Sequence, residues 1–196
     1  MTPKGFFNLA VESITAPREV ARLLMSINMN REAILTAFAL TIVLNTLVFG
    51  VTLLMAPASE NVPFFLASPT GFLAAETVTL GGTILAFTIM GRVLGGSGRL
   101  ADVALLMIWL QILNVLVQVF TIALIPASEA MVGLVVLVSS GVGIWILVNF
   151  VAEAHGLPGL GRALAIVLLG LLALGFTLSL LLVFAGVSPE GIMGNV

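Results

Sequence analysis

Arg92-Val93-Leu94-Gly95-Gly96-Ser97-Gly98-Arg99-Leu100-Ala101-Asp102 is the stretch whose reading decides the fold. It is the place in the middle of the chain where charge and glycine interrupt long apolar runs on both sides. Those runs are roughly 20 residues long, the length of a helix that crosses a bilayer. A membrane β-barrel would instead alternate apolar and polar residues in segments of about 10. Within lipid the backbone must satisfy its own hydrogen bonds, so the runs read as helices.

Composition agrees. Of 196 residues, 60% are hydrophobic and 8% charged, against about 25% charged in a soluble domain. There is no cysteine, which excludes a disulfide framework, thiolate chemistry and a Cys-based metal site. The single histidine, His155, excludes a multi-His metal centre. No basic face with interleaved aromatics points to nucleic acid. Nothing calls for a cofactor. Ser97, Ser139 and Ser140 have no base partner beyond one distant histidine, so a hydrolase triad is not indicated.

Working outward from the glycine loop, the second span covers about 71–93 and the third about 101–125. The first covers about 33–55, the fourth about 131–151 and the fifth about 163–186. Residues 1–31 form an N-terminal arm, 32–186 a five-span membrane domain, and 187–196 a short tail. The arm is not a signal peptide, because Glu12, Arg18, Glu19 and Arg22 break any apolar core. Phe6, Phe7, Ala10, Val11 and Ile14 fall at helical spacing. Pro17 then opens a second helix with Val20, Leu23, Leu24 and Ile27 on one face. These two short helices read either as lying in the membrane interface or as packing on the inner end of the bundle. Phe64, Phe65 and Leu66, in the loop after the first span, are placed to dip back into the interface.

Charge sets the orientation. All seven Lys and Arg (Lys4, Arg18, Arg22, Arg31, Arg92, Arg99, Arg162) fall before the first span, between the second and third, or between the fourth and fifth. Cations stay cytoplasmic. The expectation is an all-α, polytopic protein with the N-terminus inside and the C-terminus outside. Gly96-Ser97-Gly98-Arg99 and Gly159-Leu160-Gly161-Arg162, together with Pro57-Ala58-Ser59-Glu60 and Pro126-Ala127-Ser128-Glu129, also fit a duplicated two-span unit.

The loop Gly95-Gly96-Ser97-Gly98-Arg99-Leu100-Ala101-Asp102 resembles the membrane domain of the Yip family, the Rab-interacting membrane proteins. So do Glu153-Ala154-His155-Gly156 and Gly161-Arg162-Ala163-Leu164. Ala16-Pro17-Arg18-Glu19 through Leu23-Leu24 resembles the family's bacterial branch. The resemblance covers nearly the whole chain. It implies five spans, a cytoplasmic N-terminus and, for the bacterial branch, the cytoplasmic (inner) membrane. Eukaryotic members carry Asp-Leu-Tyr-Gly-Pro near the first span. This chain has no tyrosine and no long cytoplasmic region before that span, which speaks against a Rab-type GTPase as partner.

Several polar residues stand inside the spans. Glu76 is the sharpest, since a carboxylate within a span is a functional candidate by default. It reads as a proton or cation site, or as a structural group solvated near the helix end or bonded to Asn45 or Gln118. Gln111, Asn114, Gln118 and Thr121, at spacings of three, four and three, share one face that is expected to look into protein. That face either lines a path or glues helices together. Asn149 and Glu153 share a face at the inner end of the fourth span. The small residues Gly81-Gly82 and Ser139-x-x-x-Gly143 are candidates for close helix contact. Headgroup contacts are expected from Arg18, Arg22, Arg92, Ser97, Arg99 and Arg162. The glycine loop itself reads as a phosphate cradle, or as a tight turn steadied by Arg99 and Asp102. His155 reads as a solvated or hydrogen-bonded edge residue, or as a pH sensor.

Two functions from different classes follow. One is a non-enzymatic scaffold, accessory subunit or membrane-organising protein that contacts lipids, another membrane protein or a second copy of itself. The other is a small oligomeric transporter or channel using Glu76 and the Gln111, Asn114 and Gln118 face.

Overall fold

Local sequence sets where each helix begins. In the computed structural model, which describes residues 2–55, 68–126 and 128–184, Thr2 accepts from the Gly5 N–H (3.2 Å) ahead of Pro3, opening α1 (Pro3–Thr15). Ala16 sits before Pro17, a position that disfavours helical backbone. The chain breaks there and restarts as α2 (Pro17–Ser26). Asn30 Oδ1 accepts from the Ala33 N–H at 2.8 Å and opens α3 (Arg31–Met55). Ser68 does the same for α4 (Pro69–Val93), accepting from Gly71 at 3.1 Å. The rest are α5 (Leu100–Leu124), α6 (Glu129–Ala154) and α7 (Leu160–Phe184). The described residues are thus all-α, and five helices, α3 to α7, are long and apolar enough to cross a membrane. Phe64 to Leu66, the Pro57–Glu60 half of the proposed repeat and the 187–196 tail lie outside the described residues.

α5 is the centre. Its residues from Val103 to Trp109 are buried without a gap, because α3, α4, α6 and α2 all pack against it. α4 and α7 come closest through glycine. A Cβ on Gly82 would meet Leu174 Cδ1 at 2.6 Å, and one on Gly170 would meet Phe87 Cδ1 at 2.6 Å. Gly82 therefore acts as expected, while α4 runs unbroken through it. The Ser139-x-x-x-Gly143 pair differs from expectation: Cβ atoms added at Gly133, Gly141 or Gly143 meet nothing within 4 Å. In this half of α6 Gly133 and Gly141 face outward, while Ser139 and Gly143 turn toward a cleft beside α5.

The arm packs on the bundle, as one of its two readings expects, and lying in the membrane interface is compatible with that packing. Pro17, Val20, Ala21 and Leu24 are buried, spaced i, i+3, i+4 and i+7. Leu23 and Ile27, assigned to the same face from sequence, are instead more than half exposed, at 52% and 59%. The buried stripe is rotated toward Ala21 because a small side chain lets α2 approach α6. Ile14 O accepts from the Trp145 indole (3.2 Å), Arg18 Nε donates to Asn149 Oδ1 (3.3 Å), and Arg22 Nε donates to Glu153 Oε1 (2.8 Å). Each pair is 131 residues apart. A constant offset over two turns means that the chain from Ile14 to Arg22 runs parallel to α6. Trp145 lies nine residues before the end of α6, so Ile14 sits roughly 14 Å along the helix from that end. The arm reaches alongside the bundle instead of lying flat across its end. Ser13, fully buried, accepts from the Trp109 indole at 2.9 Å and donates to Leu9 O at 2.8 Å, fixing α1 to α5.

Candidate functional site

α3, α4 and α5 bring the intramembrane polar residues together in two groups. Gln111 on α5 donates from Nε2 to Glu76 Oε1 on α4 at 2.5 Å, and its Oε1 accepts from Asn114 Nδ2 at 2.9 Å. Gln118, one turn further along α5, donates to Asn45 Oδ1 on α3 at 3.3 Å. Asn45 in turn donates to Thr41 O at 3.2 Å. Glu76 therefore takes Gln111, not Asn45 or Gln118. The helix offset places Glu76 level with Gln111, and Asn45 level with Gln118. The four-residue stripe looks only partly into protein. Gln111 and Gln118 turn to α4 and α3, while Asn114 is exposed in a cleft between α5 and α6. Asn149, the remaining intramembrane candidate, is apart from these groups. It is buried near the C-terminal end of α6, where it donates to Trp145 O at 2.8 Å and accepts from Arg18.

The second feature was not readable from sequence. His155, placed there as an edge residue beside Glu153, is 2% exposed. Glycines from two segments close around its ring. A Cβ on Gly91 would lie 1.9 Å from Nε2, one on Gly98 2.6 Å from Cδ2, and one on Gly96 2.7 Å from the His155 Cβ. His155 O accepts from the Ser97 N–H at 3.2 Å. The glycine loop is thus a socket for an imidazole. Its glycines are required by that ring, which accounts for the motif without a phosphate. The turns on either side are built alike. Gly95 (φ 85°) and Gly156 (φ 65°) hold left-handed backbone, which glycine adopts without steric cost. The bonds Gly96 N–H to Gly91 O and Leu157 N–H to Ala152 O, both 2.8 Å, close the ends of α4 and α6.

The ring's protonation follows from its contacts. Nδ1 lies 3.0 Å from Val151 O. A carbonyl only accepts, so Nδ1 carries the proton of the neutral ring. Nε2 is buried and has no partner among the described residues. Burial pushes the imidazole below its ordinary value of 6.5, the Val151 bond opposes this, and the Arg92 guanidinium adds to the lowering. The folded chain thus takes up this proton later than the unfolded chain as pH falls. Stability is full above about pH 6.5 and is lost as pH drops toward the lowered folded value, with a limiting slope of ~1.4 kcal/mol per pH unit. Thermal unfolding in detergent, followed by tryptophan fluorescence, should show a melting temperature that falls below about pH 6.5. His155→Gln should flatten that limb, and equal limbs in both proteins would disprove the assignment.

The cations divide. Arg22 pairs with Glu153, and that hydrogen bond and the carboxylate charge raise its guanidinium above its ordinary value. Arg18 is taken by Asn149. Arg92, Arg99, Arg162 and Ser97 are exposed. Arg99 and Asp102 meet only through the backbone, Asp102 N–H to Arg99 O at 3.1 Å, and form no ion pair. Among the described residues no three His, Asp or Glu side chains gather to hold a metal ion.

These features belong to a recognisable membrane domain. A family model described as the Yip1 domain matches residues 11–181, from the second half of α1 to within α7. No curated protein and no solved structure matches the chain. The family is one of non-catalytic, multi-pass integral membrane proteins. With the match running through every candidate span and most of the docked arm, the chain belongs to the Yip1 domain family.

Proposed function

We propose that the chain is a non-enzymatic scaffold or accessory subunit that organises other components of its membrane. In this reading the N-terminus and the two glycine-bearing turns face the cytoplasm and the C-terminus faces the other side. All seven Lys and Arg lie before α3 or at its first residue, from the last turn of α4 to the start of α5, or in the first turn of α7, which supports that orientation. Residence in a bacterial cytoplasmic membrane rests on the resemblance of Ala16–Leu24 to the bacterial branch. Arg92, Arg99 and Arg162, exposed on this side, are the proposed headgroup contacts, with Ser97 beside them. Arg18 and Arg22 serve the arm first.

The observation that carries the proposal is the docked arm. α2 is held to α6 by polar bonds on one side while Leu23 and Ile27 stand outward, 52% and 59% exposed. An apolar edge held rigidly at the end of a bundle suits capture of another membrane protein, or a second copy, better than chemistry. Native mass spectrometry after mild extraction at native expression level tests this. A bound partner chain is expected, and it should be lost in a Leu23→Asn, Ile27→Asn variant that keeps its melting temperature. A bare chain would overturn the scaffold reading. The transporter alternative has less support, because Glu76 is engaged by Gln111 and α4 is continuous.

A further inference from the structure

The N-terminal half of α6 separates from α5 and leaves a cleft that opens sideways. Three sections of it, of about 200, 420 and 370 Å³, all touch Val117 on α5 and Ser139 on α6. Two are almost wholly apolar. One runs back under α1 past Phe7 and Val11, and the other passes Phe120, Leu134 and Val138. The third, bounded by α3, is different. Thr52, Asn114, Gln118, Thr121 and Ser139 make half its wall, and no charged side chain lines it.

The hydrogen bonds left unused in that wall define what it can hold. Thr52 gives its hydroxyl proton to Val48 O (3.0 Å), Thr121 to Val117 O (2.8 Å) and Ser139 to Val136 O (3.1 Å). Their oxygens can then only accept. Asn114 and Gln118 each spend one amide N–H, on Gln111 and Asn45. Each keeps a carbonyl oxygen and one N–H with no partner among the described residues. The wall is therefore uncharged and rich in acceptors. In hydrocarbon such groups cost free energy until something satisfies them.

We propose that this cleft binds an uncharged lipid carrying a free hydroxyl, of the diacylglycerol type, with its hydroxyl on the Asn114–Gln118 wall and its chains in the apolar sections. A charged headgroup finds no counter-ion there. A fully esterified lipid brings no donor. The occupant enters laterally, because α3, α5 and α6 leave the cleft open toward lipid. The site is separate from the scaffold edge on α2, so either can fail alone.

The test is native mass spectrometry of the full chain in mild detergent. Dioleoylglycerol is offered beside its acetylated form, in which the hydroxyl is blocked, and beside dioleoylphosphatidylglycerol. The expected result is retention of dioleoylglycerol about tenfold above either competitor, equivalent to ~1.4 kcal/mol. Ser139→Leu narrows all three sections, and should lower retention about tenfold. Ser139→Ala should retain the lipid, and both variants should melt as the parent does. If Ser139→Leu does not fold, Asn114→Leu takes its place and should abolish the preference for the free hydroxyl. Equal retention of free and acetylated lipid, preference for the charged lipid, or undiminished retention in the folded variant would overturn the proposal. So would a lipid-free dimer that Ser139→Leu dissociates, which would assign the cleft to a second copy.

Discussion

Gly91→Ala is expected to destabilise the protein by more than ~3 kcal/mol, beyond the usual 1–3 kcal/mol of an overpacked core. The new methyl would sit 1.9 Å from His155 Nε2 and 2.1 Å from Cδ2, where real contacts begin near 3.4 Å. Relief requires the ring to move, and it has nowhere to go. Nδ1 is held on Val151 O, the His155 carbonyl receives Ser97, and Gly96 and Gly98 close the remaining sides. The alternative is for the end of α4 to draw back from His155, loosening its packing on α7 where the fully buried Phe87 lies against Gly170. Equilibrium unfolding in mild detergent, followed by the fluorescence of Trp109 and Trp145, measures the loss. Combining Gly91→Ala with His155→Ala should recover most of it, because the clash needs both groups. The double variant should therefore resemble His155→Ala alone, a coupling of at least ~2 kcal/mol. If Gly91→Ala unfolds like the parent, the socket is not as tight as the distances state.

Gln111→Leu should be the next most damaging change, at about 2–3 kcal/mol. A single interhelical hydrogen bond in a membrane is worth only ~0.6–2 kcal/mol, so the expectation needs a reason. Gln111 serves two groups at once: it donates to Glu76 and accepts from Asn114. Leucine leaves a carboxyl on α4 and an amide on α5 without partners in a span. Glu76→Gln should cost less than ~1 kcal/mol, since an amide can still accept from Gln111. The Glu76→Leu, Gln111→Leu pair should recover the share of the loss due to the orphaned carboxyl, leaving only the Asn114 amide without its partner. Unfolding titrations of the parent, Glu76→Leu, Gln111→Leu and the double variant form one cycle. A double variant as unstable as Gln111→Leu would mean that packing, not the orphaned carboxyl, sets the loss.

The candidate spans were legible because a bilayer imposes a length, and apolar runs of that length can be counted without knowing any contact. The start of α2 was similarly local, written as Pro17, whereas the caps Thr2-Pro3 of α1 and Ser68-Pro69 of α4 were shown by the structure. Partner choice was not local. Glu76 meets Gln111 because α4 and α5 settle at one axial offset, a quantity no single helix encodes. His155 shows the limit most clearly. A histidine next to Glu153 and Gly156 reads as a residue at the water's edge. Its burial comes from Gly91, Gly96 and Gly98, roughly sixty positions earlier in the chain. Glycine carries no chemical mark of what it is leaving room for, so the socket and its occupant could not be paired from sequence. The small residues of α6 erred in the opposite direction. They promised a close helix contact, and among the described residues a Cβ at Gly133, Gly141 or Gly143 would meet nothing within 4 Å.

The fixed separation of 131 residues between the arm and α6 also sets an order of events during synthesis. Ser13 can find Trp109 only after 96 further residues have been made, and Arg18 and Arg22 must wait for Asn149 and Glu153. At ~5–20 residues per second, the ribosome takes about 7–26 s to make the distance between those partners. Throughout that interval Arg18 and Arg22 lack these partners and are free to hold the nascent chain at anionic lipid. The last polar bonds of the arm then form only once the fourth candidate span has been made. Docking of the N-terminus is thus a late event in biogenesis, and it reports that four spans have been delivered in register.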